Sequence, residues 1–226
     1  MVARSELERA VRSAGTAGER IASFGALLSS ATGLGRRLVV VGGSAISVYS
    51  RGEYVSEGID VVGDGARIAR TLRRWGFHPT EKGPRTYWAR EDLGLLVDVI
   101  DRPDYVGLNE GIRTGSTPYG PVRLAAVEDL IVRRLVFAMR ERDPEFLDEA
   151  VLLWLRFAED LDHDYLAHHV RFEGVGAAFR QLQRRASAVA ARPLRAVGGD
   201  RARAPRTVRS AITARARPRA GRARRR

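Results

Sequence analysis

The stretch that most constrains the fold is Leu38–Tyr49, "LVVVGGSAISVY". Its β-branched start, Leu38–Val41, reads as a buried strand. Gly42 and Gly43 break that run, and Ser44–Ser50 reads as a short helix. A strand that turns at once into a helix leaves the helix's first N–H groups without intrahelical partners. Together with the helix dipole they favour an anion, and glycine lets the anion approach the backbone. Ser44 suits either a helix cap or a hydroxyl contact to phosphate.

Three readings of this joint compete. One is a tight strand-to-helix turn with a serine cap. A second is a dinucleotide fingerprint, but the G-x-G-x-x-G pattern is not met and the strand–helix–strand unit is too short for it. A P-loop is excluded, because no Gly-Lys-Ser or Gly-Lys-Thr occurs in the chain. The third reading needs the elements that follow.

Ser5–Ala14 and Glu19–Ser30 carry apolar residues at helical spacing. Ile59–Val62 is a short strand, and Gly65–Trp75 a helix stopped by Gly76. "TYWA" and "LLVDVID" read as two strands of a hairpin around "REDLG". Arg102–Pro121 reads as loop, with a short strand at Val122–Leu124. Val127–Arg140, Glu145–Glu159, Asp162–Val170 and Val175–Ala191 suit helices. This order divides the chain into N-terminal helices (1–34), a mixed core (35–124), a helical segment (125–192) and a tail (193–226).

The tail holds the chain's basicity. The net charge is +12, yet residues 183–226 carry 15 arginines and one acid. Arg, Ala, Pro, Gly, Ser and Thr with few large apolar residues cannot bury a core, so the tail is expected to be disordered. Its phosphate-binding capacity is sequence-independent, and it stands beside a bland reading as a solvated extension. Cysteine is absent, which excludes disulfides and cysteine-bound zinc. The N-terminus has no signal-peptide core and no apolar run is long enough to span a bilayer, so a cytoplasmic protein with no membrane partner is expected.

"VVVGGSAISVY", then "GIDVV", then "LLVDVI", then "AAVEDLIVRRL" form an ordered series. This series resembles the nucleotidyltransferase superfamily of DNA polymerase β-like folds, in particular small prokaryotic members found in toxin–antitoxin pairs. The resemblance implies an α+β fold: a mixed sheet with flanking helices, followed by a helical segment. It implies Mg²⁺-dependent transfer of a nucleoside monophosphate from an NTP to a hydroxyl of RNA, such as tRNA, or of protein, using two metal ions. Gly42, Gly43 and Ser44 would hold the triphosphate, Arg134 would reach it, and Asp60 and Asp98 would be the catalytic metal ligands.

The acids leave one question open. An acid-x-acid pair works because alternate strand residues share a face. Asp60 fills the second position, but the first is Gly58. Glu57 would point to the opposite face unless the backbone bulges. Asp101, two residues before Pro103, reads as a turn acid. A rival reading therefore keeps the fold without the chemistry, as a protein that binds a nucleotide or a partner. Arg134 falls on the apolar face of its helix, where the competing reading is a structural salt bridge. His163 and His168 are five apart, which does not suit a two-histidine metal face, and "DHDYLAHH" reads as a solvated, partly amphipathic helix.

Overall fold

A computed structural model describes residues 2–82, 85–100 and 111–191. The expected tail and Asp101 lie outside the described residues. The architecture is α+β. Two helices, α1 (Arg4–Ser13) and α2 (Ala17–Thr32), precede β1 (Val39–Val40) and α3 (Gly42–Tyr49). Then come β2 (Ile59–Val62), α4 (Gly65–Arg74), β3 (His78–Lys82), β4 (Arg85–Arg90) and β5 (Leu95–Ile100). A hairpin of β6 (Arg113–Thr117) and β7 (Gly120–Leu124) leads into α5 (Val127–Glu141), α6 (Pro144–Phe157), α7 (His163–Phe172) and α8 (Gly176–Ala190).

The seven strands form one mixed sheet in the order β3-β4-β5-β2-β1-β7-β6. β2 pairs parallel with β5 and β1 parallel with β7, while the remaining neighbours are antiparallel. The central strands are short and apolar because both faces are covered. The edge strands differ. β3 carries Pro79, which an edge tolerates because one side of the strand needs no partner.

β6 and the start of β7 correct the loop reading of Arg102–Pro121 over 113–117 and 120–121, while residues 102–110 of that stretch lie outside the described residues. "RTGST" contains no large apolar residue, but it pairs with β7 from Arg113↔Leu124 to Thr117↔Gly120. Gly120 closes the hairpin with φ 110°, a region open to glycine. As an outer strand β6 needs backbone pairing more than a buried face.

Helices pack closely on this sheet at two glycines of α2. A Cβ on Gly25 would lie 2.8 Å from Val40 Cγ2 and 3.0 Å from Val122 Cγ2. One on Gly18 would lie 2.5 Å from the Ser47 carbonyl oxygen, so α2 meets α3 backbone to backbone. Phe24 packs edge-on to Trp75 and Phe77, with centroids 6.1 and 6.0 Å away. The buried Arg90 guanidinium donates to the Trp75 carbonyl (2.8 Å), to both Asp92 carboxylate oxygens (3.0 Å each) and to Glu8. It thereby ties α1 to the turn of the β4–β5 hairpin.

The helical segment is fastened to the sheet by polar contacts. Tyr49 Oη donates to the Ala125 carbonyl (2.8 Å), and its ring meets Phe157 edge-on. Arg156 donates to the Ser50 carbonyl (2.9 Å). Buried Glu128 accepts from Arg113 (3.3 Å) and from the Asp162 amide (2.9 Å). α7 has one buried face, formed by Leu166, His169 and Val170, as a partly amphipathic helix would, and the His169 ring lies 4.2 Å from that of Tyr165. Among the described residues no helix is long and apolar enough to cross a membrane.

The Gly18 contact gives a test. Gly18→Ala has only backbone to push against, and should cost about 1–3 kcal/mol of stability. Urea unfolding of the variant against the parent measures it.

Candidate functional site

The site is built on the end of β1 and the serines of α3. The helix begins earlier than the sequence suggests, at Gly42, with Val41 as an N-cap that has no side-chain bond. Gly42 has φ +58°, and a Cβ there would lie 2.6 Å from Asp60 Oδ2. Its backbone conformation and its neighbour both call for glycine. The first intrahelical donor is the Ala45 amide, which bonds the Val41 carbonyl at 3.1 Å.

Ser44 is not the cap. Its buried hydroxyl accepts from the Asp60 amide (2.8 Å) and donates to the Gly58 carbonyl (2.9 Å). Asp60 Oδ2 lies 3.4 Å from the same oxygen. Ser47 Oγ donates to the Tyr54 carbonyl (2.9 Å), and Ser50 Oγ accepts from the Tyr54 amide (3.1 Å). Ser44, Ser47 and Ser50 are all buried and three residues apart, so they form one helix face. That face holds the loop from Tyr54 to Gly58 and the first turn of chain into β2.

Asp60 and Asp98 come together through strand register. They are direct partners in the parallel β2–β5 pairing, so their side chains leave the same face of the sheet side by side. Tyr87 opposes Asp98 on β4 and extends the row. Asp98 is buried and Asp60 half-buried. Burial, then the Asp98 charge, push the Asp60 carboxyl up to about 6, against the opposing pull of Arg134 and the Ser44 bonds.

The remaining residues arrive from α5, α6 and the loop. A Cβ on Gly43 would lie 2.9 Å from Tyr54 Oη and 3.3 Å from both Arg134 Nη2 and Ser56 Oγ. Gly43 is therefore buried beneath these groups, while Gly42 stays half-buried beside Asp60. Arg134 itself is buried and paired. Its Nε lies 2.5 Å from Glu149 Oε2, without the alignment of a hydrogen bond, and its guanidinium stands over Phe146 at 5.5 Å. The salt bridge of the competing reading is present, with its acid supplied by α6. Burial pushes the Glu149 carboxyl above its ordinary value despite Arg134.

Tyr54, Ser56 and Glu149 were not legible as site residues. Glu149 and Phe146 share a face of α6 by their spacing, which offered a weak signal. The serines of "SAISVYS" offered a better one: three hydroxyls at a spacing of three in an otherwise apolar helix.

The fit to a divalent cation follows from the carboxylates. Two adjacent acids that raise each other's cost of ionisation are relieved by a cation, and Mg²⁺ uses one or two carboxylates plus substrate phosphates. One ion fits Asp60 and Asp98. A second is less well provided for. Among the described residues no three His, Asp or Glu side chains gather to hold a metal. Glu57 is exposed. Gly58 has no positive φ, and a Cβ on it would be 3.4 Å from the Leu96 carbonyl, an ordinary contact.

Sequence comparison finds no matching family model and no matching curated protein. Two solved structures are similar in shape. One is the crystal structure of ANT(2'')-Ia in complex with adenylyl-2''-tobramycin (16% identity, 70% of this chain, 94% of that chain, TM-score 0.43). The other is the solution structure of the antibiotic-resistance factor ANT(2'')-Ia (16% identity, 77% of this chain, 97% of that chain, TM-score 0.45).

The Asp60–Asp98 pair has a thermodynamic signature. A carboxyl raised to about 6 contributes most to stability at low pH, and that contribution is lost as pH rises through 6. Without divalent metal, Asp60→Asn should therefore stabilise the protein at pH 8 by about 1–3 kcal/mol and have little effect at pH 4. Thermal melts of both proteins across pH check this.

Proposed function

We propose that the chain is a nucleotidyltransferase-fold protein that binds an NTP with Mg²⁺ and transfers its nucleoside monophosphate to a hydroxyl of RNA or protein. The observation that carries this reading is the juxtaposition of Asp60 and Asp98 with the Gly42–Gly43 turn. A metal-binding carboxylate pair and an anion-favouring helix start then face one another across a few ångströms. Few other reactions need both together.

In this reading Asp60 and Asp98 hold Mg²⁺, which when bound would neutralise phosphate charge. Gly42 and Gly43 bring backbone donors towards the phosphates, and Arg134, paired with Glu149, stands beside the turn. Ser44 acts through the backbone of β2, holding Asp60 where it stands. In the transfer the acceptor oxygen bonds the α-phosphorus and the α–β bridging bond breaks. Pyrophosphate leaves, and the acceptor's proton goes to solvent.

Gly58 favours a second reading, in which the site binds a metal–nucleotide complex and transfers slowly or not at all. The protein would then serve as a nucleotide- or partner-binding component, such as one half of a toxin–antitoxin pair. The two separate experimentally. Incubation with each labelled NTP, Mg²⁺ and tRNA or lysate protein should label an acceptor. Asp98→Asn should remove the label by at least about a hundredfold. Gly58→Asp, which the backbone accommodates, should raise labelling. Nucleotide binding with no labelling by the parent or by Gly58→Asp would leave the binding reading.

A further inference from the structure

The charge around the Gly43 turn is the wrong sign for a simple anion site. Tyr54 Oη samples that point, and its acidity is set by what surrounds it. After burial, Glu149, Asp60 and Glu57 push the phenol up and Arg134 alone pulls it down, leaving it at about 12. Asp98 adds a further carboxylate beside Asp60. Among the described residues, the buried cation beside this turn is already matched. Arg134 Nε lies against Glu149 Oε2, and both side chains are more than nine-tenths buried. Neither atom makes an aligned hydrogen bond. A bare polyphosphate arriving here would meet carboxylates and a neutralised arginine.

We infer that Glu149 is a specificity-determining residue: by holding the charge of Arg134, it restricts the site to polyphosphate carried as its divalent-metal complex. This rests on the reading of the site as one for a nucleoside triphosphate. The physical reason is local. Like charges brought together in a partly buried place cost far more than in water, so repulsion rejects the unwanted form. A divalent ion on Asp60 and Asp98 reverses the sign on that side, and the phosphates then meet the ion. Without Glu149 the guanidinium would be a buried, unmatched cation, and any polyphosphate would relieve it. α6 therefore has a chemical task. Glu149 sets the charge of Arg134, and Phe146, on the same face of α6, sets where the guanidinium lies.

The test uses inorganic tripolyphosphate, which has no base or sugar to recognise. Its affinity is measured by calorimetry at pH 8, with Mg²⁺ and with EDTA. The full-length parent should lose about a hundredfold or more in affinity when Mg²⁺ is removed. Glu149→Gln should lose no more than about tenfold, because its freed Arg134 binds the bare anion. Glu149→Asp, which keeps the charge, should retain the parent's metal requirement. The double variant Arg134→Gln/Glu149→Gln should regain that requirement, which a merely structural role for Glu149 would not produce. If Glu149→Gln does not fold, Glu149→Ala, which admits water to the guanidinium, gives the same readout. An unchanged metal requirement in the folded single variant overturns the inference and leaves the nucleotide reading standing. A parent that binds neither tripolyphosphate nor any NTP with Mg²⁺ overturns both.

Discussion

The serine face of α3 is the constraint on which the site depends. An eight-residue helix has few ways to hold a nine-residue loop, and this one uses side-chain hydroxyls. Ser44 bridges the Gly58 carbonyl and the Asp60 amide, and Ser47 and Ser50 grip the backbone of Tyr54. Each bond satisfies a buried main-chain group that has no strand or helix partner nearby. The result is indirect but decisive for chemistry. The chain enters β2 in a fixed register, Asp60 falls opposite Asp98, and Tyr54 is laid over Gly43. The Ser44 hydroxyl thus works on the protein's own backbone.

Much of the fold was legible because its signals are local. Apolar β-branched runs gave β1, β2 and β5, helical spacing gave the helices, and Gly94 lies in the turn of the expected β4–β5 hairpin. Those signals failed where stability comes from partners distant in sequence. "RTGST" becomes β6 because β7 offers it a pairing edge, not because its own residues favour a strand. The juxtaposition of Asp60 and Asp98 was hinted at by the acids, since an aspartate inside an apolar strand such as "LLVDVI" is costly to bury unpaired. Tyr54, Ser56 and Glu149 come from a loop and a later helix. Nothing in the spacing of those residues places them against Gly43; tertiary packing does.

Arg134 shows why a binary choice between structural and functional roles is too coarse. The salt bridge to Glu149 is real, and so is the approach of Nη2 to the glycine turn. One end of the guanidinium answers to α6 and the other to α3. The orientation of the helical segment and the charge at the site are consequently not independent. A helix that packs the segment also determines what the sheet's carboxylates face.

Gly58 carries a consequence of another kind. Its φ lies outside the left-handed region and a Cβ there would meet the Leu96 carbonyl only in ordinary contact, so the backbone places no demand for glycine there. Glycine and aspartate codons differ by a single base. A lineage with this scaffold could cross between a carboxylate and a hydrogen at residue 58 in one step, with little effect on folding in either direction. In the proposed reading of the site, gain or loss of a carboxylate at residue 58 would be neutral to the architecture and visible to selection only through chemistry. On such a scaffold, active and silent forms can be close relatives, and shape alone does not tell them apart.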